Sequence, residues 1–331
     1  MKHEGVLGVM KFTKMHGAGN DYIYVNGFEE TIPAPAQRAQ LAELVSDRHF
    51  GIGGDGLVFI LPSTVADFRM QMFNADGSEG KMCGNAIRCV GKYVYDNGMI
   101  GPLAVTGEGS SAGSSAGSSA TARAAQKTEI TVETLSGIKQ ISLIVEDGLV
   151  AAAKVNMGKP EFVAEKIPVI AEGQGQEKGQ GKGQGQKVVA FPITVQGNNL
   201  PQRTFTVHCV SMGNPHAVIF LEADEDLTDE LVLGYGPLIE KHAAFPDRIN
   251  VEFVKFVDRG NLRMRVFERG SGETLACGTG ASAVVVMARE KGMTEESVDV
   301  ILLGGILRID YGSDGFVYMT GPATKVFDGE I

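Results

Sequence analysis

Apolar and polar positions alternate along most of the chain in short runs closed by glycine, asparagine or proline, the two-residue period of half-buried strands. Tyr22–Asn26, Leu57–Leu61, Phe68–Phe73, Glu129–Thr134, Gln140–Val145 and Val150–Asn156 read as strands on this pattern. The second half repeats the theme with Thr204–Ser211, His216–Leu221, Asn250–Val257, Leu262–Glu268, Val298–Leu303, Ile306–Tyr311 and Phe316–Thr320. Helical spacing replaces alternation in three places: Gln37–Ser46, after a proline-rich start, and the stretches that follow Cys83 and Cys277. The apolar run Ala281–Ala288 predicts a helix buried on all sides. After Cys83, Ile87, Val90, Gly91 and Val94 mark an apolar face, and Arg88, Lys92 and Asp96 a polar one. The mixture predicts an α+β protein rich in strands.

A repeat organises these elements. Cys83 and Cys277 lie 194 positions apart, and at that offset Arg69–Val90 matches Arg263–Val284 at seven of 22 positions. Chance identity of roughly one in fifteen would give one or two matches, so a duplicated unit is the better explanation. Each copy reads strand, glycine-rich turn, cysteine, helix. The same offset pairs Gly19-Asn20 with Gly213-Asn214, and Asn74 with Glu268. The expected division is a first half over 1–138, a second half over 139–320, and a tail over 321–331 that returns to the first half. Two low-complexity stretches, 107–127 (Gly/Ser/Ala) and 172–187 (alternating Gly), cannot bury enough apolar area to offset their ordering entropy and are expected to be flexible insertions.

Composition narrows the function. A formal net charge of -10 over 331 residues argues against nucleic acid or an anionic membrane as partner, and means that any anionic small-molecule substrate must be held by local features. The sequence contains no apolar run long enough to span a bilayer, and its start lacks the pattern of a secretory signal, so a cytoplasmic protein is expected. Four cysteines with no metal-ligand spacing predict reduced thiols and no metal site. Gly51-Ile52-Gly53-Gly54-Asp55-Gly56 satisfies GxGxxG, but a helix precedes it and a strand follows, the reverse of a dinucleotide site.

The repeat puts Cys83 and Cys277 at helix mouths. Free N–H groups and the helix dipole there favour thiolate, so both thiols are expected to be more acidic than an ordinary cysteine. The same N–H groups bind a carboxylate. Two thiols converging on one carbon supply a base on one face and an acid on the other, which is what inversion of a stereocentre requires. A lone cysteine at such a position reads more readily as a small buried cap, and the pairing is what reverses the balance toward chemistry. Cys89 and Cys209 have no cysteine partner at the same offset and are expected to be structural.

The stretches KMHGAGNDYIYVN, GIGGDGLVFI, FNADGSEGKMCGNAIRC, VSMGNPHAVIF, RINVEFV, FERGSGETLACGTGA and TGPATKVFDGE resemble those of the diaminopimelate epimerase family. The resemblance implies two pseudo-symmetric domains, each a mixed β-sheet curled around a central helix, with the site in the cleft between them. It implies cofactor-independent interconversion of LL- and meso-diaminopimelate in lysine and peptidoglycan-precursor biosynthesis, and a homodimer. Cys83 and Cys277 would be the catalytic pair. The substrate ligands would be Asn20, Asn74, Asn214, Asn250, Glu268 and Arg269, with Gly84, Asn85, Gly278 and Thr279 at the reacting carboxylate, and His216 and Glu268 would tune the thiols. Two positions depart from the family pattern: Gly56, where some members carry a glutamine contact, and Phe327, where a tyrosine is associated with dimer contact. A proline- or hydroxyproline-type racemase of the same fold and a non-catalytic thiol switch are the alternatives.

Overall fold

In the computed structural model, which describes residues 9–101, 127–170, 176–178, 186–188, 190–197 and 199–331, the alternating runs are strands and the runs after the two cysteines are helices. The first half contains β1 (Lys11–Gly17), β2 (Asn20–Asn26), α1 (Pro35–Ser46), β3 (Gly56–Leu61), β4 (Phe68–Asn74), β5 (Glu79–Gly80), α2 (Gly84–Asp96), β6 (Glu129–Thr134), β7 (Gly137–Glu146) and β8 (Leu149–Gly158). A short pair, β9 (Gln176–Lys178) and β10 (Gln186–Val188), precedes β11 (Phe191–Gly197), β12 (Leu200–Ser211) and β13 (Pro215–Phe220). Then come a π-helical turn at Glu230–Tyr235, α3 (Gly236–Glu240), β14 (Asn250–Asp258), β15 (Asn261–Glu268), β16 (Gly272–Glu273) and α4 (Gly278–Glu290). The chain ends with β17 (Ser297–Leu302), β18 (Gly305–Tyr311), β19 (Val317–Pro322) and β20 (Thr324–Glu330).

One pairing scheme serves both halves. From β1 to β4 the partners run antiparallel, parallel and antiparallel, then β4 pairs parallel with β6, and β6, β7 and β8 form a meander. The series β12, β13, β14, β15, β17, β18 and β19 repeats those orientations in the same order. β8 pairs antiparallel with β19, which joins the two mixed sheets, and β20 crosses back to lie antiparallel to β1. Helix α2 packs on β1, β2, β7 and β8, and α4 on β12, β13, β14, β17 and β18, so each sheet curls around one helix. The fold is therefore α+β with two pseudo-symmetric halves, as the sequence predicts, but by strand pairing the first half includes β7 and β8 and runs past the boundary expected at 138, because the meander completes the first sheet.

Both central helices bury their sides in one continuous core that spans the halves. The outer faces of the sheets have cores of their own, one over the second half with α3 and the π-turn, the other under α1. Ala281–Ala288 is buried without interruption, which fits a helix enclosed on every side. Helix α2 differs from expectation at Arg88, which is fully buried. Its guanidinium donates to Gly84 O, Asn85 Oδ1 and Pro322 O, because the chain end folds over the helix face that local pattern marks as polar.

Strands β1 and β20 escape the alternation rule, whereas β11 keeps it, burying Phe191, Ile193 and Val195, but is not among the runs read from the sequence. In β1 the obstacle is Lys14, which is buried because Asp21 sits 2.7 Å away, a neutralisation that hydropathy does not reveal. The insertion expected at 107–127 lies outside the described residues except for Lys127. Within 172–187, Gln176–Lys178 pairs antiparallel with Gln186–Val188, so part of a stretch expected to lack structure forms a ladder. Among the described residues no helix is long and apolar enough to cross a membrane.

Candidate active site

Cys83 and Cys277 are the N-cap residues of α2 and α4, both in extended backbone. Each helix then begins with glycine. A Cβ on Gly84 would stand 2.8 Å from Met319 Cε, and one on Gly278 would stand 2.7 Å from Met319 Sδ. Glycine at both starts lets the two helix mouths meet over Met319 without displacing the end of its side chain. Across this junction Asn85 Nδ2 donates to Ala276 O at 2.9 Å, tying one helix start to the loop before the other.

The mouths open into a cleft of about 1080 Å³. Asn20, Asn74, Cys83, Gly84, Asn85, Asn214, Glu268, Arg269, Cys277, Gly278 and Thr279 all line it. His216 and Asn250 do not; they stand one layer behind. Asn250 is buried, donating to Pro215 O at 2.8 Å and accepting from the Arg269 N–H at 2.9 Å, so it fixes the backbone that carries Arg269. His216 is fully buried, its Nε2 3.0 Å from Asn214 Oδ1 and its Nδ1 2.6 Å from Glu252 Oε1. Its reach to the cleft runs through Asn214.

Each sulfur has its own partners. The Cys83 thiol donates to Asn20 Oδ1 at 3.4 Å, and Asn20 is oriented by its Nδ2, which donates to Asp55 Oδ2 at 2.6 Å. Arg48 reaches the other Asp55 oxygen at 2.8 Å. Cys277 Sγ accepts from the Gly280 N–H at 3.4 Å and lies 3.5 Å from Thr279 Oγ1. Glu268 accepts a hydrogen bond from Thr274 Oγ1.

Burial dominates the electrostatics of the pair. It pushes the Cys83 thiol up, against the opposing pull of the Ala86 and Asn85 N–H groups. It pushes Cys277 much further up, aided by the negative charges of Glu268 and Glu252. Helix-mouth donors thus act in the direction the sequence reading gives them, but burial outweighs them, and neither thiol is more acidic than an ordinary cysteine. Burial likewise raises the Glu268 carboxyl. Cys89 and Cys209 are buried away from the cleft, and burial pushes Cys89 up to about 11.

The sequence model of the family described as diaminopimelate epimerase matches residues 12–163 and 208–326. The chain belongs to the diaminopimelate epimerase family. It is 49% identical to the diaminopimelate epimerase of Acetivibrio thermocellus over 97% of its own length and 98% of the relative's. It is 46% identical to that of Methanococcus maripaludis over 97% and 99%. Membership makes it an isomerase. Among solved structures it resembles a hydroxyproline epimerase from Agrobacterium vitis, with TM-score 0.65, 15% identity and 98% and 92% of the two chains covered. It also resembles a probable proline racemase from Agrobacterium radiobacter, with TM-score 0.63, 14% identity and coverage of 97% and 92%. At such identity these likenesses speak for the shared fold.

The two departures from the family pattern have structural correlates. A Cβ on Gly56 would lie 2.0 Å from Phe73 O, so no side chain enters the cleft from that position. Phe327 is half-exposed on β20 and packs edge-on against Phe12, with ring centroids 5.9 Å apart. Sequence reading assigned no role to Asp55, Glu252 or Tyr22. Asp55 sits inside the glycine motif that resembles a dinucleotide site, Glu252 inside RINVEFV and Tyr22 inside KMHGAGNDYIYVN, so their only signal was membership of the family's motifs.

Proposed function

We propose that the protein is a diaminopimelate epimerase that inverts one α-carbon by a two-base thiol mechanism without a cofactor. The observation that carries the reading is two thiols, each capping a helix, opening into one cleft in a chain nearly half identical to relatives of that name. A Cys83 thiolate takes the α-proton of the LL isomer while the Cys277 thiol returns one to the opposite face, and the roles exchange for the meso isomer. The reacting carboxylate lies against the N–H groups of Gly84, Asn85, Gly278 and Thr279, where charge that develops on it is stabilised by donors already in place. The distal amino acid is held by Arg269 and Glu268 with Asn20, Asn74 and Asn214. Arg269 suits a carboxylate because its planar fork donates in parallel, and the asparagines offer donors and acceptors without charge. His216 and Asn250 act from behind, through Asn214 and the Arg269 backbone. The enzyme works as a cytoplasmic homodimer, and the exposed Val326 and Phe327 on β20 supply apolar surface for that contact.

Incubation with LL-diaminopimelate in deuterated water under reducing conditions tests the reading. Deuterium should enter the α-carbon as the meso isomer forms. An unlabelled, uninverted substrate would overturn it, and inversion of free proline or hydroxyproline in its place would reassign the substrate.

A further inference from the structure

The offset that pairs Cys83 with Cys277 also pairs Tyr22 with His216 and Gly56 with Asn250. Strand register agrees: Tyr22 faces Gly56 across the parallel β2–β3 ladder as His216 faces Asn250 across β13–β14. The first half therefore has a glycine where the second has an amide. A Cβ at position 56 would stand 2.8 Å from Tyr22 Cε1, so the tyrosine ring lies in the space that a side chain from 56 would take. That ring is 5% exposed, yet it lines the cleft with Cys83, and phenol and thiol stand near enough for each to bear on the other's ionisation. Asn20 Oδ1, an acceptor, occupies another side of the sulfur and cannot stabilise its negative charge.

We propose that Tyr22, seated in the space Gly56 leaves, is a positioning residue whose hydroxyl donates to Cys83 and makes Cys83 the sulfur that carries the negative charge before substrate binds. The proposal rests on the two-thiol reading above. Around Cys83 the titratable and charged groups are Arg88 and Cys89 on α2, Tyr22 and Tyr24 on β2, Asp55 beside β3 and Glu268 across the cleft. Tyr22 stays a donor across the working range, because burial and the neighbouring Cys83 and Asp55 all oppose its ionisation. Cys277 has donors in Gly280 and Thr279 but faces the carboxylates of both Glu268 and Glu252. The proton of the resting pair thus belongs on Cys277.

Alkylation of the free enzyme with iodoacetamide across pH, with Cys83 and Cys277 peptides quantified separately by mass spectrometry, reads the two thiolates one at a time. In the wild type Cys83 should react first as pH rises. Tyr22→Phe keeps the ring and loses the donor. A hydrogen bond to a charged group of about 1.5–3 kcal/mol corresponds to tenfold or more, so the Cys83 midpoint should rise by roughly one unit or more while that of Cys277 stays in place. The acidic limb of kcat/KM should move the same way, and Tyr22→His, which returns a donor, should recover part of the shift. A Cys83 midpoint unmoved in Tyr22→Phe, or a wild-type enzyme in which Cys277 reacts first, would overturn the proposal. Deuterium incorporation in Cys83→Ala and Cys277→Ala separates this from the underlying reading. If either variant inverts substrate normally, the two-thiol mechanism fails; if neither inverts it while Tyr22→Phe alkylates as wild type, Tyr22 alone loses its role.

Discussion

Cys83 and Cys277 cap helices of equal length, 13 residues each, at equivalent places in two sheets of the same pairing order, yet the strand residues behind them differ. Behind Cys83 stand Tyr22, Gly56 and Asn74. Behind Cys277 the same backbone positions hold His216, Asn250 and Glu268. The first set is neutral and offers the sulfur a phenol. The second holds a carboxylate and a buried His216–Glu252 pair, with ring nitrogen and carboxylate oxygen 2.6 Å apart. Gly280 makes room for that pair, since a Cβ there would lie 2.8 Å from Glu252 Oε1. Duplication fixes where a thiol can stand; the residues that diverged afterwards make its proton easier or harder to remove. A pair that inverts a carbon would need one sulfur charged and the other protonated, and this divergence favours one of the two arrangements in the free protein.

The hardest test of the comparison removes one sulfur at a time. Cys83→Ala and Cys277→Ala should each lower epimerisation by about a thousandfold or more, within the range by which a positioned acid or base accelerates a step. The residual chemistry should differ: Cys277→Ala keeps its base for the LL isomer and should still exchange that α-proton with deuterated solvent, whereas Cys83→Ala should not. Equal exchange from both isomers in both variants would erase the distinction between the halves. Arg269→Lys keeps the charge but loses the planar fork, and should raise KM tenfold or more, as expected for about 1.5–3 kcal/mol of charge-assisted bonding, with a smaller change in kcat. Steady-state kinetics on diaminopimelate checks it, and a fall confined to kcat would count against Arg269 as a ligand of the distal carboxylate.

A smaller effect concerns stability. Thiols whose pKa is raised by burial remain protonated in the folded state when the unfolded chain has begun to ionise, so the fold loses stability as pH rises. For Cys89 the loss begins above the ordinary thiol value near 8.5 and continues to about 11, with a slope approaching about 1.4 kcal/mol per pH unit. Denaturant melts between neutral and alkaline pH should show it, and Cys89→Ala should flatten the decline. A decline of equal slope in that variant would place its origin elsewhere. Last, Asn85→Ala removes the bond to Ala276 O that ties the two helix mouths and an acceptor of the buried Arg88 guanidinium, and should cost about 1–3 kcal/mol of unfolding free energy in the same assay.

Much of the architecture was legible before any coordinates. The strand runs needed only a period of two, and the helix mouths needed only the repeat, which also separated Cys83 and Cys277 from Cys89 and Cys209. Eleven of the cleft-lining residues followed from the family motifs. What could not be read depends on contacts made between elements. Arg88 looks solvated until Pro322 folds over it, and Lys14 looks exposed until Asp21 closes on it. His216 and Asn250 belong to motifs that point at the cleft, but their neighbours place them a layer behind it.

The sequence by itself determined the duplicated strand–turn–cysteine–helix unit, because alternation, helical spacing and glycine at a helix start are local properties of a few consecutive residues. Tertiary structure alone decided the chemistry of the two sulfurs. Desolvation depends on how closely the other half seals the cleft, and the difference between the thiols depends on side chains brought in from separate strands: Tyr22 over Gly56 on one side, Glu252 and Glu268 on the other.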